Sequence, residues 1–175
     1  MRRVRPSGRD AHFERCIEAN GPDILRYLQR RATDQGDAAD TYGETLLTAW
    51  RARGRMPREE AASRMWLFVV ARNTLLNSRR GDRRRSAAVT RLSERIAIQA
   101  SDAETDTAVE LRLAISRLPA ELSEIIRLTY WDGFSSAEVA QILGLNASTV
   151  RTRLSQARAQ LRTELALWDD PIATD

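Results

Sequence analysis

Few side chains in this sequence could act as acid–base, nucleophilic or metal-binding groups, because the chain holds one histidine, one cysteine and no lysine. His12 and Cys16 lie four residues apart, which places them on one face if this segment is helical. Two ligands are too few for a structural zinc site, and a single cysteine cannot form an intramolecular disulfide. Without lysine, Walker A phosphate binding and Schiff-base chemistry are excluded. We therefore predict no catalytic residue, no cofactor and no metal.

The arginines offer a different chemistry, the binding of nucleic acid. All 28 basic residues are arginine, a bias that GC-rich coding also produces. Between Arg151 and Arg162 lie four arginines and no acid. Guanidinium groups on an acid-free face neutralise phosphates and donate to guanine edges. The alternative is an ordinary helical hairpin whose arginine face is only solvated.

The first three of these arginines belong to the second of two predicted helices in FSSAEVAQILGLNASTVRTRLSQARAQL, from Phe134 to Leu161. Ser135 or Ser136 is a suitable N-cap for the first helix. Gly144 suits a turn through positive φ, and Asn146 suits the N-cap of the second helix. The second helix has one apolar seam, formed by Val150, Leu154, Ala157 and Leu161. Two helices joined by such a tight turn indicate a helix-turn-helix, whose second helix enters the major groove by its N-terminus.

An acidic stripe marks the predicted helix DAADTYGETLLTAW, from Asp37 to Trp50. Asp37, Asp40 and Glu44 follow one another at spacings of three and four residues, so they share one face. A charge stripe is most often a solvated face. Here it is concentrated on one helix of a basic chain, which also fits a basic partner.

A further helix is predicted from Arg64 to Arg80, with Ser63 as its cap. Its segment MWLFVVA is apolar nearly all round, and seven arginines against two acids lie between Arg79 and Arg95. An apolar, tryptophan-bearing helix beside arginines combines stacking with phosphate neutralisation, as single-strand binding requires. A core helix that ends in a solvated basic tail explains the same pattern.

The remaining patterns predict an all-α chain of two small helical domains. We expect a disordered N-terminal tail over 1–11, a domain over 12–85, a linker over 86–106, a second domain over 107–168 and a C-terminal tail over 169–175. The first helix, Phe13 to Arg31, is expected to be interrupted or split at Gly21-Pro22. Helices are also expected over Thr107 to Leu118 and Pro119 to Tyr130. The linker is acidic in its second half and is expected to hold at most a short helix, Arg91 to Gln99. No signal peptide and no membrane span is expected, which predicts a cytoplasmic protein.

With these elements in order, the chain resembles the sigma-70 family of bacterial transcription initiation factors, in its extracytoplasmic-function (ECF) group. RLPAELSEIIRLTYWDGFSSAEVAQILGLNASTVRTRLSQARAQLR is similar to the family's region 4. DAADTYGETLLTAW resembles region 2.2, and RMWLFVVARNTLLNSRR resembles regions 2.3 to 2.4. The resemblance extends from about Phe13 to Leu167.

The resemblance implies a function, partners and sites. It implies a factor that is not an enzyme, binds core RNA polymerase through the β′ clamp helices and the β flap, and directs it to promoter DNA. An anti-sigma factor is an expected regulatory partner, and the linker is expected to run through the polymerase active-site cleft. The implied polymerase contacts are Asp37, Asp40 and Glu44. The segment Trp66 to Arg80 and the loop Pro57 to Ser63 before it fall where the family recognises and melts the −10 element. The implied contacts there are Ser63, Trp66, Arg72, Asn73, Asn77, Arg79 and Arg80. The implied contacts to the −35 element are Ser148, Thr149, Arg151, Thr152, Arg153 and Arg158.

Two positions depart from the family pattern. Gly43 stands where glutamine is usual, which costs roughly 1 kcal/mol of helix stability against alanine and removes one polar contact. Ser148 stands where glycine is common, at the start of the recognition helix. The competing interpretations are a dimeric repressor or activator that uses the same helix-turn-helix, and an enzyme. The acidic helix and the apolar–basic helix after it disfavour a repressor, which needs neither.

Overall fold

The computed structural model describes residues 8–86 and 106–165, and every regular element in these ranges is helical. Seven α-helices follow in chain order: α1 Gly8–Gln29, α2 Gln35–Ala52, α3 Glu60–Ser86, α4 Asp106–Arg117, α5 Ala120–Ile126, α6 Ser136–Leu143 and α7 Ala147–Leu165. A 3-10 turn, Arg53–Arg55, follows α2, and a π-helical turn, Arg127–Trp131, follows α5. The predicted all-α class is confirmed.

The chain divides into two compact units, Met1–Ala97 and Ile98–Asp175. Their boundary falls within the predicted linker, and α3 and α4 reach its two ends at Ser86 and Asp106. The expected helix Arg91 to Gln99 and the C-terminal tail lie outside the described residues. We refer to the two units as the first and second domains.

In the first domain, α1, α2 and α3 pack around a shared apolar core. Ile24 and Leu28 of α1 and Leu67 and Phe68 of α3 are each 0% exposed. Tyr27 meets Phe68 edge-on, with 5.3 Å between ring centroids. The apolar run of α3 therefore places one face in the core, while Met65, Trp66, Val69 and Val70 are half-buried.

Helix α1 corrects two of our predictions. It begins at Gly8, so residues 8–11 are helical and do not belong to a disordered tail. Asp10 in this stretch and His12 directly after it contact residues more than 40 positions away, and these contacts hold the start of α1 in place. The helix also continues through Gly21 and Pro22 without a break. Pro22 is exposed, and packing of Ile24 and Leu28 offsets the roughly 3 kcal/mol that an interior proline costs.

Gly21 has a packing role in place of the predicted helix-breaking one. It is buried, and a Cβ at this position would lie 2.8 Å from the hydroxyl oxygen of Tyr42. The absent side chain therefore leaves room for the Tyr42 hydroxyl of α2 against α1.

The start of α3 also differs from prediction. The helix begins at Glu60, and the side chain of Glu59 accepts from the backbone N–H groups of Ala61 and Ala62 at 3.0 and 2.6 Å. Glu59 therefore satisfies the free donors at this helix end, a task that we assigned to Ser63. Ser63 lies inside the first turn and is 0% exposed.

In the second domain, α4 matches its prediction, whereas the next predicted helix is divided. Pro119 precedes α5, and after Ile126 the backbone widens into the π turn, in which Asp132 N–H donates to Arg127 O at 3.0 Å. Phe134 N–H donates to Leu128 O at 3.0 Å, which turns the chain toward α6. Periodicity alone does not distinguish this wider turn from a continued α-helix.

Candidate functional site

Helices α6 and α7 form the predicted helix-turn-helix. Ser135 and Glu138 form a capping box: Ser135 N–H donates to Glu138 Oε2 at 2.8 Å, and Glu138 N–H donates to Ser135 Oγ at 3.4 Å. Gly144 ends α6 with φ of 68°, a left-handed conformation that favours glycine. Asn146 directly precedes α7, and its carbonyl accepts from Val150 N–H at 3.1 Å. The predicted Ser135 cap and Gly144 turn are therefore confirmed, and Asn146 stands at the position where its capping role was predicted.

The two faces of α7 are divided as the sequence predicts. Val150, Leu154, Ala157 and Leu161 are buried, with exposures of 0, 6, 0 and 0%. Ser148, Thr152, Ser155 and Ala159 are all exposed on the opposite face. Burial of this apolar seam fixes the rotation of α7 about its own axis, which leaves the polar residues of the opposite face on solvent.

The predicted −35 contacts fall into two groups. Ser148, Arg151 and Thr152 are exposed and Thr149 is half-buried, all in the first two turns of α7. Within the two ranges that the structure describes, Arg151 has no hydrogen-bond or ion-pair partner. Its guanidinium group is therefore available for an incoming base or phosphate.

Arg153 and Arg158 form the second group, since both have partners inside the domain. Arg153 Nη1 lies 2.7 Å from Glu121 Oε2 of α5, and Arg158 Nε donates to the hydroxyl of Tyr130 at 2.7 Å. Both arginines therefore link α7 to the segment that precedes the helix-turn-helix. A DNA contact by either one requires it to exchange or share that partner.

The acidic stripe of α2 lies on solvent. Asp37, Asp40 and Glu44 are exposed, and the same face continues through Leu47 and Arg51, which are also exposed. Leu47 is 46% exposed, a high value for a leucine in a helix that packs on two others. Sequence reasoning missed Leu47, although the alternating spacing of three and four residues includes it. We call the face formed by these five residues the α2 seam.

The predicted −10 contacts on α3 are placed unevenly. Asn73, Asn77, Arg79 and Arg80 are exposed, and Trp66 and Arg72 are half-buried. Arg79 donates to the backbone carbonyl of Arg31, which holds the later part of α3 against the end of α1. Ser63 donates to Pro57 O at 2.8 Å and is fully buried. The prediction that Ser63 contacts DNA is therefore wrong in this conformation, because its hydroxyl belongs to the domain interior.

Residues from two predicted sites meet in a shallow groove between α2 and α3. Glu44, from the acidic stripe, lines this groove together with Asn73 and Asn77 of the predicted −10 set. The two predicted surfaces of the first domain are therefore adjacent.

His12 and Cys16 adjoin each other on α1, and the imidazole also contacts a backbone carbonyl. His12 Nε2 lies 2.9 Å from Pro57 O and 3.7 Å from Cys16 Sγ, and Cys16 is buried. Over the described parts of the chain, no group of three or more histidine, cysteine or acidic residues could hold a metal ion. None of the described helices is long and apolar enough to cross a membrane.

Two protein-family descriptions match the sequence. Residues 16–85 match sigma-70 region 2, and residues 108–161 match sigma-70 region 4. The ECF RNA polymerase sigma factor SigL of Mycobacterium tuberculosis is 34% identical over 145 residues, which cover 81% of this chain and 82% of SigL. SigM, an ECF sigma factor of the same species, is 27% identical over 149 residues, covering 85% of this chain and 74% of SigM.

Solved structures share the fold. The sigma factor RpoE of Bartonella quintana, crystallised with the anti-sigma factor NepR, gives a TM-score of 0.75 at 23% identity, covering 90% of this chain and 98% of that chain. CnrH, in complex with the cytosolic domain of CnrY, gives a TM-score of 0.61 at 22% identity, covering 88% of this chain and 87% of that chain.

Proposed function

The chain belongs to the sigma-70 family, as a member of its ECF group, and from that premise we propose that it binds core RNA polymerase, recognises −35 and −10 promoter elements and promotes promoter melting. The observation that carries this proposal is the presence of regions 2 and 4, in that order, in one chain. A repressor that used the helix-turn-helix alone would not need region 2. Sigma factors are transcription initiation factors and are not catalytic, so we propose no reaction for the chain itself.

The α2 seam supports the contact to polymerase. Its members at positions 37, 40, 44, 47 and 51 alternate in spacing between three and four, which is the spacing of a helix that packs along another helix. The seam is acidic at its first end, apolar at Leu47 and basic at Arg51. It therefore fits a helical partner with basic residues opposite Asp37, Asp40 and Glu44 and an apolar residue opposite Leu47. The β′ clamp helices are the partner that family membership suggests.

The first two turns of α7 support reading of the −35 element. A recognition helix contacts base edges with its N-terminal residues, which here are Ser148, Thr149, Arg151 and Thr152. Arg151 suits a bidentate contact to guanine, and the hydroxyls suit phosphates or base edges. We place Arg153 and Arg158 in a secondary role, because their bonds to Glu121 and Tyr130 must first be exchanged or shared.

The exposed side of α3 supports contact with the melted −10 strand. Asn73 and Asn77 offer both donors and acceptors to unpaired bases, and Arg79 and Arg80 offer positive charge to phosphates. Trp66 is half-buried, so part of its surface remains available to a base. Stacking of one base on an aromatic ring contributes about 1–3 kcal/mol, comparable with the few kcal/mol that extrusion of a base costs.

Regulation and location follow from the same premise. We expect an anti-sigma factor to cover the polymerase- and DNA-binding faces, and the structural neighbours RpoE and CnrH were each solved with a protein partner. We expect the protein to act in the cytoplasm, where core polymerase transcribes. The chain between the two domains is proposed to run through the polymerase cleft, and region 4 to contact the β flap.

Binding assays with and without core polymerase test the function. The full chain should form a stable complex with core polymerase, and the complex should bind promoter DNA far more tightly than the free chain does. A dimeric repressor would instead bind a palindromic duplex tightly without polymerase. That result, together with no binding to core polymerase, would overturn the proposal.

A further inference from the structure

The first turns of α1 hold the connection between α2 and α3, which comprises residues 53–59. The second half of this connection and the start of α3 fall in the segment, Pro57 to Ser63, that the family resemblance implies for −10 recognition, so the inference below rests on our proposed function. His12, the only histidine of the chain, has no role in that function so far. Its side chain nevertheless has specific hydrogen-bond partners.

His12 is bonded to the second half of the connection. Its Nε2 atom lies 2.9 Å from the carbonyl oxygen of Pro57 and 3.2 Å from Ser63 Oγ. Ser63 Oγ itself donates to the same Pro57 carbonyl at 2.8 Å. One backbone oxygen therefore receives donors from α1 and from α3. The donor on α1 is 45 residues from Pro57 in sequence, so this bond joins distant parts of the chain.

The chemistry of the acceptor determines the tautomer of His12. A carbonyl oxygen only accepts, so Nε2 must carry the hydrogen for the 2.9 Å contact to be a bond. If residue 12 were a side chain of similar size without a hydrogen-bond donor, the Pro57 carbonyl would accept a side-chain hydrogen bond only from Ser63. A glutamine, whose amide nitrogen extends to a comparable distance, would keep a donor.

Asp10 anchors the first half of the connection. Arg53 Nε lies 2.6 Å from Asp10 Oδ1, and the Arg53 guanidinium carbon lies 3.9 Å from the centre of the Trp50 ring. Phe13 meets the same Trp50 ring edge-on, with 5.4 Å between centroids. Three residues of α1, at positions 10, 12 and 13, thus contact the end of α2, the connection and the start of α3.

The outer side of the connection is exposed between these anchors. Arg55, Arg58 and Glu59 are exposed, while Met56 is 9% exposed and points inward. The conformation of this outer side thus depends on α1 at both ends. We propose that His12 and Asp10 are positioning residues, which fix the α2–α3 connection for contact with the −10 strand without touching DNA.

The paired variants His12→Leu and His12→Gln test the proposal in the full chain bound to core polymerase. The probe is a single-stranded oligonucleotide that carries the non-template −10 sequence of a promoter which the wild-type holoenzyme transcribes. His12→Leu should weaken its binding by about three- to tenfold, the effect of losing one or two hydrogen bonds. His12→Gln should bind within about twofold of wild type. Ala19→Leu adds a leucine at an exposed position of the same helix and serves as the matched control.

Two further readouts distinguish positioning from general destabilisation. Affinity for core polymerase, and for a duplex with only the −35 element, should be the same for wild type and His12→Leu. In the free chain, trypsin should cut after Arg55 and Arg58 faster in His12→Leu and in Asp10→Asn than in wild type, with cleavage after Arg151 unchanged as the internal reference. Asp10→Asn removes the ionic partner of Arg53 by an isosteric change, so this arm does not depend on His12→Leu folding.

The outcomes separate the inference from the proposed function. If His12→Leu and His12→Gln lose −10 binding equally, or if neither loses it while trypsin cleavage is unchanged, His12 has no positioning role. Equal losses of −10, −35 and core binding would likewise overturn the proposal, in favour of a purely structural role. If wild-type holoenzyme itself does not bind the −10 strand, the proposed function fails, and the inference fails with it.

Discussion

The two helical domains hold their functional surfaces through contacts of different range along the chain. In the second domain, Ser135 and Glu138 cap each other across three residues, and Gly144 ends the same short helix. In the first domain, His12 contacts Pro57 across 45 residues, and Arg79 contacts Arg31 across 48. The turn of the proposed −35 reader is thus set by local contacts, whereas the proposed −10 surface is anchored by contacts between segments that are distant in sequence.

This difference predicts how each surface responds to mutation. A local motif needs little loop closure, so its geometry depends mainly on its own caps and seam. A surface assembled from distant segments fails when any anchoring segment moves. We therefore expect a mutation near α7 to affect DNA binding through α7 itself. A mutation in α1 should instead affect residues before and within α3 that are distant from it in sequence.

The largest effect is expected from the seam of α7. Leu154 is 6% exposed, so Leu154→Ala should lower the free energy of unfolding of the second domain by about 2–5 kcal/mol, through lost burial and the cavity left behind. Calorimetry of the full chain measures this loss. Ser155→Ala, at the next and exposed position, should stay within about 0.5 kcal/mol of wild type. Equal stability of the two variants would show that the seam does not hold α7.

Arg151→Ala should give the next largest effect, on binding of the −35 element by the holoenzyme. If the guanidinium contacts a base, binding should weaken by about 1–3 kcal/mol for the preferred sequence only. If it contacts a phosphate, all sequences should weaken alike and the salt dependence should become less steep. Arg162→Ala removes an exposed arginine from the last turns of the same helix and is the control. Arg162→Ala and Arg151→Ala behaving alike would contradict recognition by the start of α7.

The double variant Asp40→Ala/Glu44→Ala tests the α2 seam. It should lower affinity for core polymerase about tenfold, or about 1.4 kcal/mol, because two charges facing a basic partner are lost. Binding to a −35 duplex should not change. Glu14→Ala/Glu18→Ala removes two exposed acids with the same spacing from α1 and should leave core affinity unchanged. If both double variants weaken binding equally, only net charge matters and the seam has no specific role.

A glycine in each domain gives the smallest predicted effects, with opposite signs. Gly43 lies within α2 and is exposed, and an added Cβ there would have no neighbouring atom within 4 Å, so Gly43→Ala should stabilise the first domain by about 0.5–1 kcal/mol. Gly144 has φ of 68°, so Gly144→Ala should destabilise the second domain by roughly 1 kcal/mol. Thermal unfolding of both variants measures these changes. Two shifts of the same sign would contradict the structural difference between these positions.

The second domain was predictable from sequence because its determinants lie close together in the chain. The Ser135 cap and the Gly144 turn depend on neighbours within one helical turn, and the seam from Val150 to Leu161 is visible as a spacing of three and four residues; all three are confirmed. What the sequence did not predict is the pairing of Arg153 with Glu121, which spans from α7 to α5. Periodicity locates a residue on a face but does not identify its partner on another helix.

The first domain was harder to predict because contacts between different helices decide where its helices begin and continue. Pro22 was expected to break α1, yet burial of the flanking α1 face against α2 and α3 outweighs the cost of the proline. Ser63 was expected to be a cap and a DNA contact, yet its hydroxyl bonds to Pro57 inside the domain. Both errors arose because local propensity was applied where tertiary packing decides. Leu47, by contrast, was available from the spacing of the acidic stripe.

Run-off transcription on a genomic promoter library tests the central claim most directly. Core polymerase is supplied with the full chain, and the starts of the transcripts are mapped. We predict that the chain converts core polymerase into an enzyme that starts at a small set of promoters sharing one −35/−10 pair. Transcription that is no more selective than that of core polymerase alone, despite a folded chain, would contradict the account.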